Sequence, residues 1–402
     1  MTKIFALKGK IQNYAWGGKQ YIPDLLGITP ESKPYAEYWL GAHVNAPSIV
    51  TSENGSVNLN EFLNENLEEG LGVKVTNTFG RLPFLFKVLD VNDMLSIQVH
   101  PTKVEAEKGF KLENELGIPL TAPHRNYKDD NHKPEIMVAL SEFWLLHGFL
   151  TEEKLSKVLS STPEFMQLLP VFKEDGYLGL YRAVMEQTEE ETINVLKPLI
   201  ERILPLYNKG KLSKSDPAYW AAKAIESSND SSIDKGIYSI YFFNIVKVEK
   251  GEAVFQDAGI PHAYLEGQNM ELMANSDNVL RGGLTPKHVD VPELLKHVAF
   301  EATVPNIIRG ESQPDGLERI YKSPAPDFEL SQIKLLDSNV YNSCSSSAQI
   351  VIVIEGEVEL SDKKGTTLNL AKGESGLILA NCDYSIVTSS KAILYKATAP
   401  NV

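Results

Sequence analysis

Cysteine is scarce in this sequence: 402 residues contain only Cys344 and Cys382. Two cysteines so far apart fit neither a disulfide framework nor a cysteine-based zinc knuckle. We therefore expect both to be buried free thiols.

Long apolar runs are also missing, since no stretch approaches the roughly 18 apolar residues of a membrane-spanning helix. The first segment becomes polar at Lys8 and Lys10, before the apolar core of a signal peptide could form. We expect a cytoplasmic protein with no membrane partner.

Positive charge is in deficit, with 39 lysines and arginines against 53 aspartates and glutamates, a formal net charge of −14. This balance argues against nucleic acid as a partner. A small anionic ligand would need a local basic pocket, so the lysines and arginines near candidate sites become informative.

The most informative residues that are present are Gln98 and His100, in the run Leu95-Ser96-Ile97-Gln98-Val99-His100-Pro101. Residues two apart on a strand project from the same face. Two later segments contribute Glu135, in His132-Lys133-Pro134-Glu135, and His262, in Gly259-Ile260-Pro261-His262-Ala263-Tyr264. Nitrogen and oxygen donors of this kind suit zinc or a similar first-row metal.

Each of these residues also has a structural interpretation. A Gln-x-His pair is often only the polar face of a strand, and short motifs carry a high false-positive risk. Lys87 could point to solvent from a half-buried strand, while Glu271 and Asp277 could anchor a turn. We interpret His43, His124, His147, His288 and His297 as structural, and Trp16 and Trp39 as packing residues.

The pattern before residue 151 is mainly strands and turns. A β-rich run, 82–91, leads through a short turn into 94–100, which predicts a hairpin carrying the first candidate ligands. Residues 101–134 are polar and irregular, so we predict a long functional loop there. Strand-like alternation resumes over 136–146.

Helical spacing of apolar residues over 151–232 predicts a helical insert, and Thr188 with Glu191 predicts a capping box. The polar stretch from Ser227 to Asp234 closes it. Strands are predicted to return from Gly236, with a long strand over 237–248. The tail from Phe328 to Ala399 is predicted to be all-β, a sandwich or barrel without a histidine.

Several motifs occur together in one order, and they extend over effectively the whole chain. They are Gln12-Asn13-Tyr14-Ala15-Trp16-Gly17, Ala36-Glu37-Tyr38-Trp39-Leu40-Gly41, the Gln98–His100 run, His132-Lys133-Pro134-Glu135, and Asp277-Asn278-Val279-Leu280-Arg281-Gly282-Gly283-Leu284-Thr285. Residues Gly251 to His262 also resemble the second half of a cupin signature. This set resembles the type I mannose-6-phosphate isomerases, zinc-dependent enzymes of the cupin superfamily.

The resemblance implies a mainly β fold with two cupin-like β-barrel (jelly-roll) domains and an inserted α-helical domain. The expected division is 1–150 plus 236–327 for the catalytic barrel, 151–235 for the helical insert and 328–402 for the C-terminal barrel. It also implies a sugar-phosphate substrate, namely mannose 6-phosphate and fructose 6-phosphate interconverted through a cis-enediol(ate). We expect a monomer.

The same resemblance implies one zinc ion held by Gln98, His100, Glu135 and His262. The implied catalytic positions are Lys87, His132, Lys133, Glu271, Asp277 and Arg281. The implied substrate-binding positions are Ser96, Lys103 and Tyr264.

Aldose–ketose isomerisation moves a proton between C1 and C2, so it needs a base and something to hold the developing oxyanion. Glu271, Asp277 and His132 are the candidates for the base, and we favour Glu271, with His132 or Asp277 assisting ring opening. Either Arg281 binds the phosphate while the lysines face the enediolate, or the reverse holds.

Two other functions remain open from the sequence alone. One is a cupin iron oxygenase, against which the cations Lys87, Lys133 and Arg281 argue. The other is a non-catalytic sugar-phosphate sensor with the same fold.

Overall fold

The structure, a computed structural model, describes residues 2–53, 55–227 and 233–400. Its strands, numbered along the chain, are β1 (Ile4–Lys8), β2 (Lys10–Gln12), β3 (Glu37–Gly41), β4 (Ile49–Ser52), β5 (Gly55–Asn58), β6 (Phe84–Val91), β7 (Gln98–Val99), β8 (Glu135–Ala139), β9 (Phe143–Phe149), β10 (Phe243–Val248), β11 (Ala253–Gln256), β12 (His262–Ala274), β13 (Leu280–Arg281), β14 (Glu311–Ser312), β15 (Glu318–Tyr321), β16 (Glu329–Leu335), β17 (Val340–Ser345), β18 (Gln349–Glu355), β19 (Glu357–Asp362), β20 (Thr367–Ala371), β21 (Ser375–Ile378), β22 (Cys382–Val387) and β23 (Ala392–Thr398).

Helices are concentrated in the middle of the chain. They are α1 (Tyr21–Leu26), α2 (Leu59–Glu65), α3 (Leu67–Leu71), α4 (Val73–Phe79), α5 (Lys103–Glu115), α6 (Glu152–Ser161), a 3₁₀ helix (Pro163–Leu168), α7 (Leu169–Met185), α8 (Glu189–Asn208), α9 (Pro217–Ser227), α10 (Gly236–Phe242) and α11 (Val291–His297). No helix in the described ranges is both long and apolar enough to cross a membrane.

Antiparallel sheets form the framework. One sheet runs β10-β9-β12-β6-β3-β2 and also takes in β7, β8, β11 and β13. A second sheet runs β14-β15-β16-β23-β18-β21-β1-β4-β5, and a third runs β17-β22-β19-β20. The predicted all-β tail is therefore confirmed, and the second sheet is completed by β1, β4 and β5 from the N-terminal region.

Strand β12 organises the first sheet because it pairs with β6, β7, β8 and β9. Strand β6 is buried along its whole length, and alternate residues enter different environments. Phe84, Phe86 and Val88 enter one apolar core, whereas Lys87 lies on the opposite face, toward the candidate site. Lys87 is therefore buried and does not point to solvent.

The predicted helices between residues 151 and 227 are confirmed, and so is the capping box of Thr188 and Glu191 at the start of α8. Residues 228–232 of the predicted closing stretch lie outside the described residues.

The prediction of a strand from Ile237 to Phe242 was wrong, because these residues form α10. A fully buried apolar run carries no periodicity that separates helix from strand.

Two further predictions near the site were wrong. Residues 94–97 are not a strand, and β6 and β7 do not form a hairpin: the Leu95 N–H donates to the Tyr264 carbonyl and the Ile97 N–H to the Gly283 carbonyl. The predicted loop 101–134 also contains a helix, α5, whose N-terminal residue Thr102 accepts a hydrogen bond from the Glu105 N–H.

Both cysteines are free, but only Cys382 is buried, while Cys344 is exposed. They lie on neighbouring strands of the third sheet, where Cys344 pairs with Asp383. Because adjacent residues of a strand face opposite sides, the two thiols project from opposite faces of this sheet.

A pair of tryptophans contributes to the packing of the helices against the first sheet. Trp220 of α9 is fully buried, and its ring centroid lies 5.9 Å from that of Trp144 in β9.

We expect Trp220→Ala to lower the free energy of unfolding by about 3–5 kcal/mol, because it removes a large buried side chain. Urea denaturation measures this change. Met166→Ala, at a position 57% exposed, is the control and should change it by under about 0.5 kcal/mol. Equal effects of the two substitutions would contradict the expected attachment.

Candidate metal centre and active site

Three of the four predicted metal ligands converge in the interior of the first sheet. His100 Nε2 lies 3.4 Å from Glu135 Oε1, and His262 Nε2 lies 3.4 Å from Glu135 Oε2. The two imidazole centroids are 4.9 Å apart. All three side chains are buried, and their donor atoms lie within 4.8 Å of one another. Three stretches distant in sequence thus meet around one point.

Backbone carbonyls orient both imidazoles. His100 Nδ1 lies 3.1 Å from the Asn278 carbonyl, and His262 Nδ1 lies 2.9 Å from the Ile260 carbonyl. Since a carbonyl accepts, each Nδ1 carries the hydrogen and each Nε2 presents a lone pair. Both Nε2 atoms are buried, and neither has a hydrogen-bond partner among the described residues. Buried polar atoms are rarely left unpaired, and metal-bound histidines are typically oriented in this way. The donor set therefore fits a divalent metal ion.

The fourth predicted ligand, Gln98, lies beside this triad. Across the sheet, Gln98 pairs with His262 of β12 on one side and with Arg281 of β13 on the other. Paired residues project from the same face, with Cβ atoms roughly 4.5–5.5 Å apart. The Gln98 amide therefore lies on the face that carries His262. Its role as a ligand remains a prediction.

Glu135 and His100 have the protonation states that metal binding needs. Burial raises the pKa of Glu135, but opposing influences, of which the positive charge of Lys133 is the largest, hold it well below its usual range. The Lys133 amine lies 3.3 Å from Glu135 Oε1. Burial lowers the pKa of His100 to about 4, despite the opposing charge of Glu135. An ionised carboxylate and neutral imidazoles are the forms that bind metal.

A buried ion pair lies next to the triad. Lys87 of β6 and Glu271 of β12 are directly opposite each other, and Lys87 Nζ donates to Glu271 Oε2 over 2.8 Å. Burial lowers the pKa of Lys87, but the charges of Glu271, Glu37 and Glu135 raise it overall. Burial also raises the pKa of Glu271, against the effect of Lys87. A carboxylate with a raised pKa is suited to proton transfer near neutral pH.

Arg281 is the cation without a fixed partner. Among the described residues, no acid or carbonyl oxygen binds its guanidinium, and partial burial lowers its pKa. Lys128 and Lys287 each have a lowered pKa. Burial is the larger cause for both lysines, and the positive charge of Arg281 lowers each pKa further. The three cations form a local basic region in an acidic protein, as an anionic ligand requires.

Asp277 and His132 lie farther out, each with a partner of its own. Asp277 Oδ1 lies 3.3 Å from His43 Nε2, and His132 Nε2 lies 2.8 Å from Asp327 Oδ2. Burial raises the pKa of Asp277, but the hydrogen bond from His43 and the charges of Lys133 and Lys87 lower it overall. Within the described part of the chain, His132 makes no hydrogen bond or ion pair with the triad. The structure thus brings Asp277 under the influence of the other site charges.

The three predicted substrate-binding residues differ in their surroundings. Ser96 is half-buried, two residues before Gln98. Lys103 Nζ donates to the Asp130 carbonyl at 3.0 Å and to Asn131 Oδ1 at 3.1 Å. Tyr264 is buried against Phe143, with ring centroids 5.2 Å apart. Their roles remain predictions.

Sequence reasoning missed the residue that secures this region, Asn278. Its side-chain Oδ1 accepts the N–H groups of Lys128 and Asp129, and its Nδ2 donates to the carbonyls of Asp129 and Asn131. Because its own carbonyl accepts from His100, Asn278 joins the 128–131 loop to a metal ligand. A side chain that bonds backbone groups leaves no distinctive spacing in the sequence. His43 and Asp327 were also missed, because each pairs with one side chain that is distant in the sequence, Asp277 and His132 respectively.

The fold and this triad define a β-sheet protein with an interior metal centre, a buried acid–base pair and an adjacent basic region. Residues 4–151 match the family model described as phosphomannose isomerase type I, catalytic domain. The chain is 38% identical over 381 residues to mannose-6-phosphate isomerase of Escherichia coli, covering 93% of this chain and 94% of that protein. It is 32% identical to the human enzyme of that name, covering 98% of this chain and 97% of that protein.

Solved structures agree with these sequence relatives. A crystal structure of a point mutant of phosphomannose isomerase from Salmonella typhimurium superposes with a TM-score of 0.90 at 35% identity, covering 99% of this chain and all of that one. A structure of mannose 6-phosphate isomerase from the same organism, described as bound to its substrate f6p and to zinc, gives 0.88 at 35% identity with the same coverage. This chain belongs to the type I mannose-6-phosphate isomerase family.

The convergent triad predicts loss of metal when one imidazole is removed. We expect His262→Ala to fall from one bound Zn²⁺ per chain to a small fraction of that, because a lone pair aimed at the shared point is lost. Dialysis against Zn²⁺ followed by metal analysis measures this. His288→Ala, at an exposed histidine, is the matched control and should keep its metal. A His262→Ala protein that keeps a full equivalent would show that the triad does not hold the ion.

Proposed function

We propose that this protein interconverts mannose 6-phosphate and fructose 6-phosphate at the buried site, by proton transfer between C1 and C2 through a cis-enediol(ate). We infer the isomerase activity from membership of the family. The observation that carries the location is the pair of unpartnered Nε2 lone pairs of His100 and His262, directed at the ionised carboxylate of Glu135.

The residues suited to hold one zinc ion are Gln98, His100, Glu135 and His262. When bound, zinc would polarise the carbonyl and hydroxyl oxygens of the substrate, which lowers the cost of the negative charge that develops there. The Asn278 and Ile260 carbonyls keep the two imidazoles in the required tautomer.

Glu271 is the residue we propose as the C1/C2 base. Its carboxylate is buried beside Lys87, so it is shielded from water and fixed in direction. The raised pKa makes it a stronger base than an exposed glutamate, and the ammonium of Lys87 can stabilise negative charge on the adjacent substrate oxygen.

Arg281 is the residue we propose for the phosphate, which resolves the alternative left open by the sequence. Lys87 and Lys133 are committed to Glu271 and Glu135 respectively. The guanidinium of Arg281 is free to bind phosphate oxygens in a bidentate manner. The register places Gln98 between Arg281 and His262, so the phosphate and the reacting carbons would lie on opposite sides of Gln98.

Ring opening needs a group that exchanges a proton with a sugar hydroxyl. We propose Asp277 for this step over His132, because Asp277 lies within reach of the charges of Lys133 and Lys87 and its side chain is 41% exposed, against 23% for that of His132. Ser96, Lys103 and Tyr264 are proposed to line the substrate pocket.

The finer architecture follows the family. We propose two cupin-like jelly-roll barrels and a helical insert, divided at 1–150 plus 236–327, 151–235 and 328–402. The pairing of β1, β4 and β5 with the tail's sheet suggests that the two barrels share an N-terminal contribution. We also propose a cytoplasmic monomer whose partner is the sugar phosphate, with no role for nucleic acid or membrane.

A coupled assay of fructose 6-phosphate formation tests this function. The zinc-loaded protein should turn over mannose 6-phosphate without oxygen, and Arg281→Ala should keep its zinc but lose about 100-fold or more in kcat/KM. Oxygen uptake by the iron-loaded protein would favour an oxygenase instead. Binding of mannose 6-phosphate without product, measured by calorimetry on the zinc form, would favour a sensor.

The role of Glu271 predicts a pH dependence. A base must be deprotonated, so activity is present above the pKa of Glu271 and lost as the pH falls through it. Burial raises this pKa, so the acid limb of kcat/KM should lie above the ordinary value of 4.5. Lys87→Met removes the positive charge that lowers the Glu271 pKa and should move the limb to higher pH. A limb that stays in place in Lys87→Met, or moves to lower pH, would exclude Glu271 as the titrating base.

A further inference from the structure

His43 is a buried histidine outside the predicted catalytic set. It lies in the loop between β3 and β4 and is 4% exposed. Its ring meets the edge of Trp39, with centroids 4.9 Å apart and planes at 74°. The amine of Lys87 lies 5.2 Å from the Trp39 ring centroid. His43 is therefore packed behind the residues that carry the proposed chemistry.

The hydrogen bonds of His43 determine which nitrogen carries the hydrogen. Its Nδ1 accepts the N–H of Asn45 at 3.3 Å, so in the neutral ring the hydrogen is on Nε2. That nitrogen lies 3.3 Å from Asp277 Oδ1. The neutral imidazole is thus prepared to donate to this carboxylate.

Asp277 is held from two sides and open on a third. Its backbone N–H donates to Asp129 Oδ2 at 2.7 Å, while His43 holds its side chain. The Asp277 side chain is 41% exposed, against 5% for that of His43. The contact with His43 therefore fixes the carboxylate without covering it, and the opening remains for a ligand.

We propose that His43 is a positioning residue, whose Nε2–H fixes the Asp277 carboxylate in the orientation that meets a sugar hydroxyl during ring opening. This inference rests on the proposed function, since it assigns a partner to the Asp277 step. His43 itself does not touch the substrate; it acts through Asp277.

Packing alone is the competing explanation for His43. Phenylalanine fills a similar volume and can keep the edge contact with Trp39, but it cannot donate a hydrogen bond. Glutamine can place an N–H near the position of Nε2. His43→Phe and His43→Gln therefore separate the donor from the packing.

A double-mutant cycle tests the proposal in the full-length zinc-loaded protein, with His43→Phe, His43→Gln, Asp277→Asn and His43→Phe/Asp277→Asn compared for kcat, KM and zinc content. We expect His43→Phe to lower kcat on the order of 10- to 100-fold with KM and zinc nearly unchanged. His43→Gln should recover most of the loss. In the Asp277→Asn background, His43→Phe should change kcat by less than about twofold.

The stability control is Tyr395→Phe, which removes a buried hydrogen bond from Gln332 in the second sheet. It should lower the melting temperature and leave kcat unchanged. Three results would overturn the positioning role. His43→Phe could lower kcat equally in the wild-type and Asp277→Asn backgrounds, or it could leave kcat unchanged. The third result is an Asp277→Asn enzyme with normal kcat. If His43→Phe fails to fold, a His43→Gln enzyme with the kcat of Asp277→Asn would overturn it. A wild-type protein that forms no fructose 6-phosphate would instead overturn the proposed function.

Discussion

A single buried carboxylate shared by two imidazoles is the constraint around which this structure is arranged. The carboxylate oxygens of Glu135 each face one imidazole Nε2, and these two Nε2 lone pairs have no hydrogen-bond partner among the described residues. Such an arrangement is costly in an interior without water. A metal ion offsets that cost, and the fold keeps the donors in place: β12 supplies His262, β8 supplies Glu135, and the end of β7 supplies His100.

Charge is distributed around this centre in a way that supports anion chemistry within an acidic protein. Lys133 and Lys87 are neutralised by Glu135 and Glu271, so they stabilise the interior without attracting a ligand on their own. Arg281 is left free on the far side of Gln98. Under the proposed function, the phosphate would bind at Arg281, a site cation that no acid among the described residues neutralises.

The sequence predicted the three residues of the triad, His100, Glu135 and His262, but not the way in which they are brought together. Gln98, Glu135 and His262 could be chosen from residue type and motif, and the helices of 152–227 from their periodicity. The hairpin before Gln98 could not be judged, because its alternation also fits a segment that bonds to Tyr264 and Gly283 across the sheet. Helix α10 has no polar face to reveal its period. Helix α5 did carry a signal, the Thr102–Glu105 cap, which its polar composition obscured. The supports Asn278 and His43 act through hydrogen bonds to loop backbone groups and to one carboxylate, which no spacing rule detects.

The most direct test is a crystal structure of the zinc-loaded protein with anomalous diffraction at the zinc edge. The account predicts one strong peak about 2.0–2.1 Å from the Nε2 atoms of His100 and His262 and about 2.0–2.2 Å from oxygens of Glu135 and Gln98. A peak elsewhere, or none at all with the two imidazoles still facing Glu135, would contradict it.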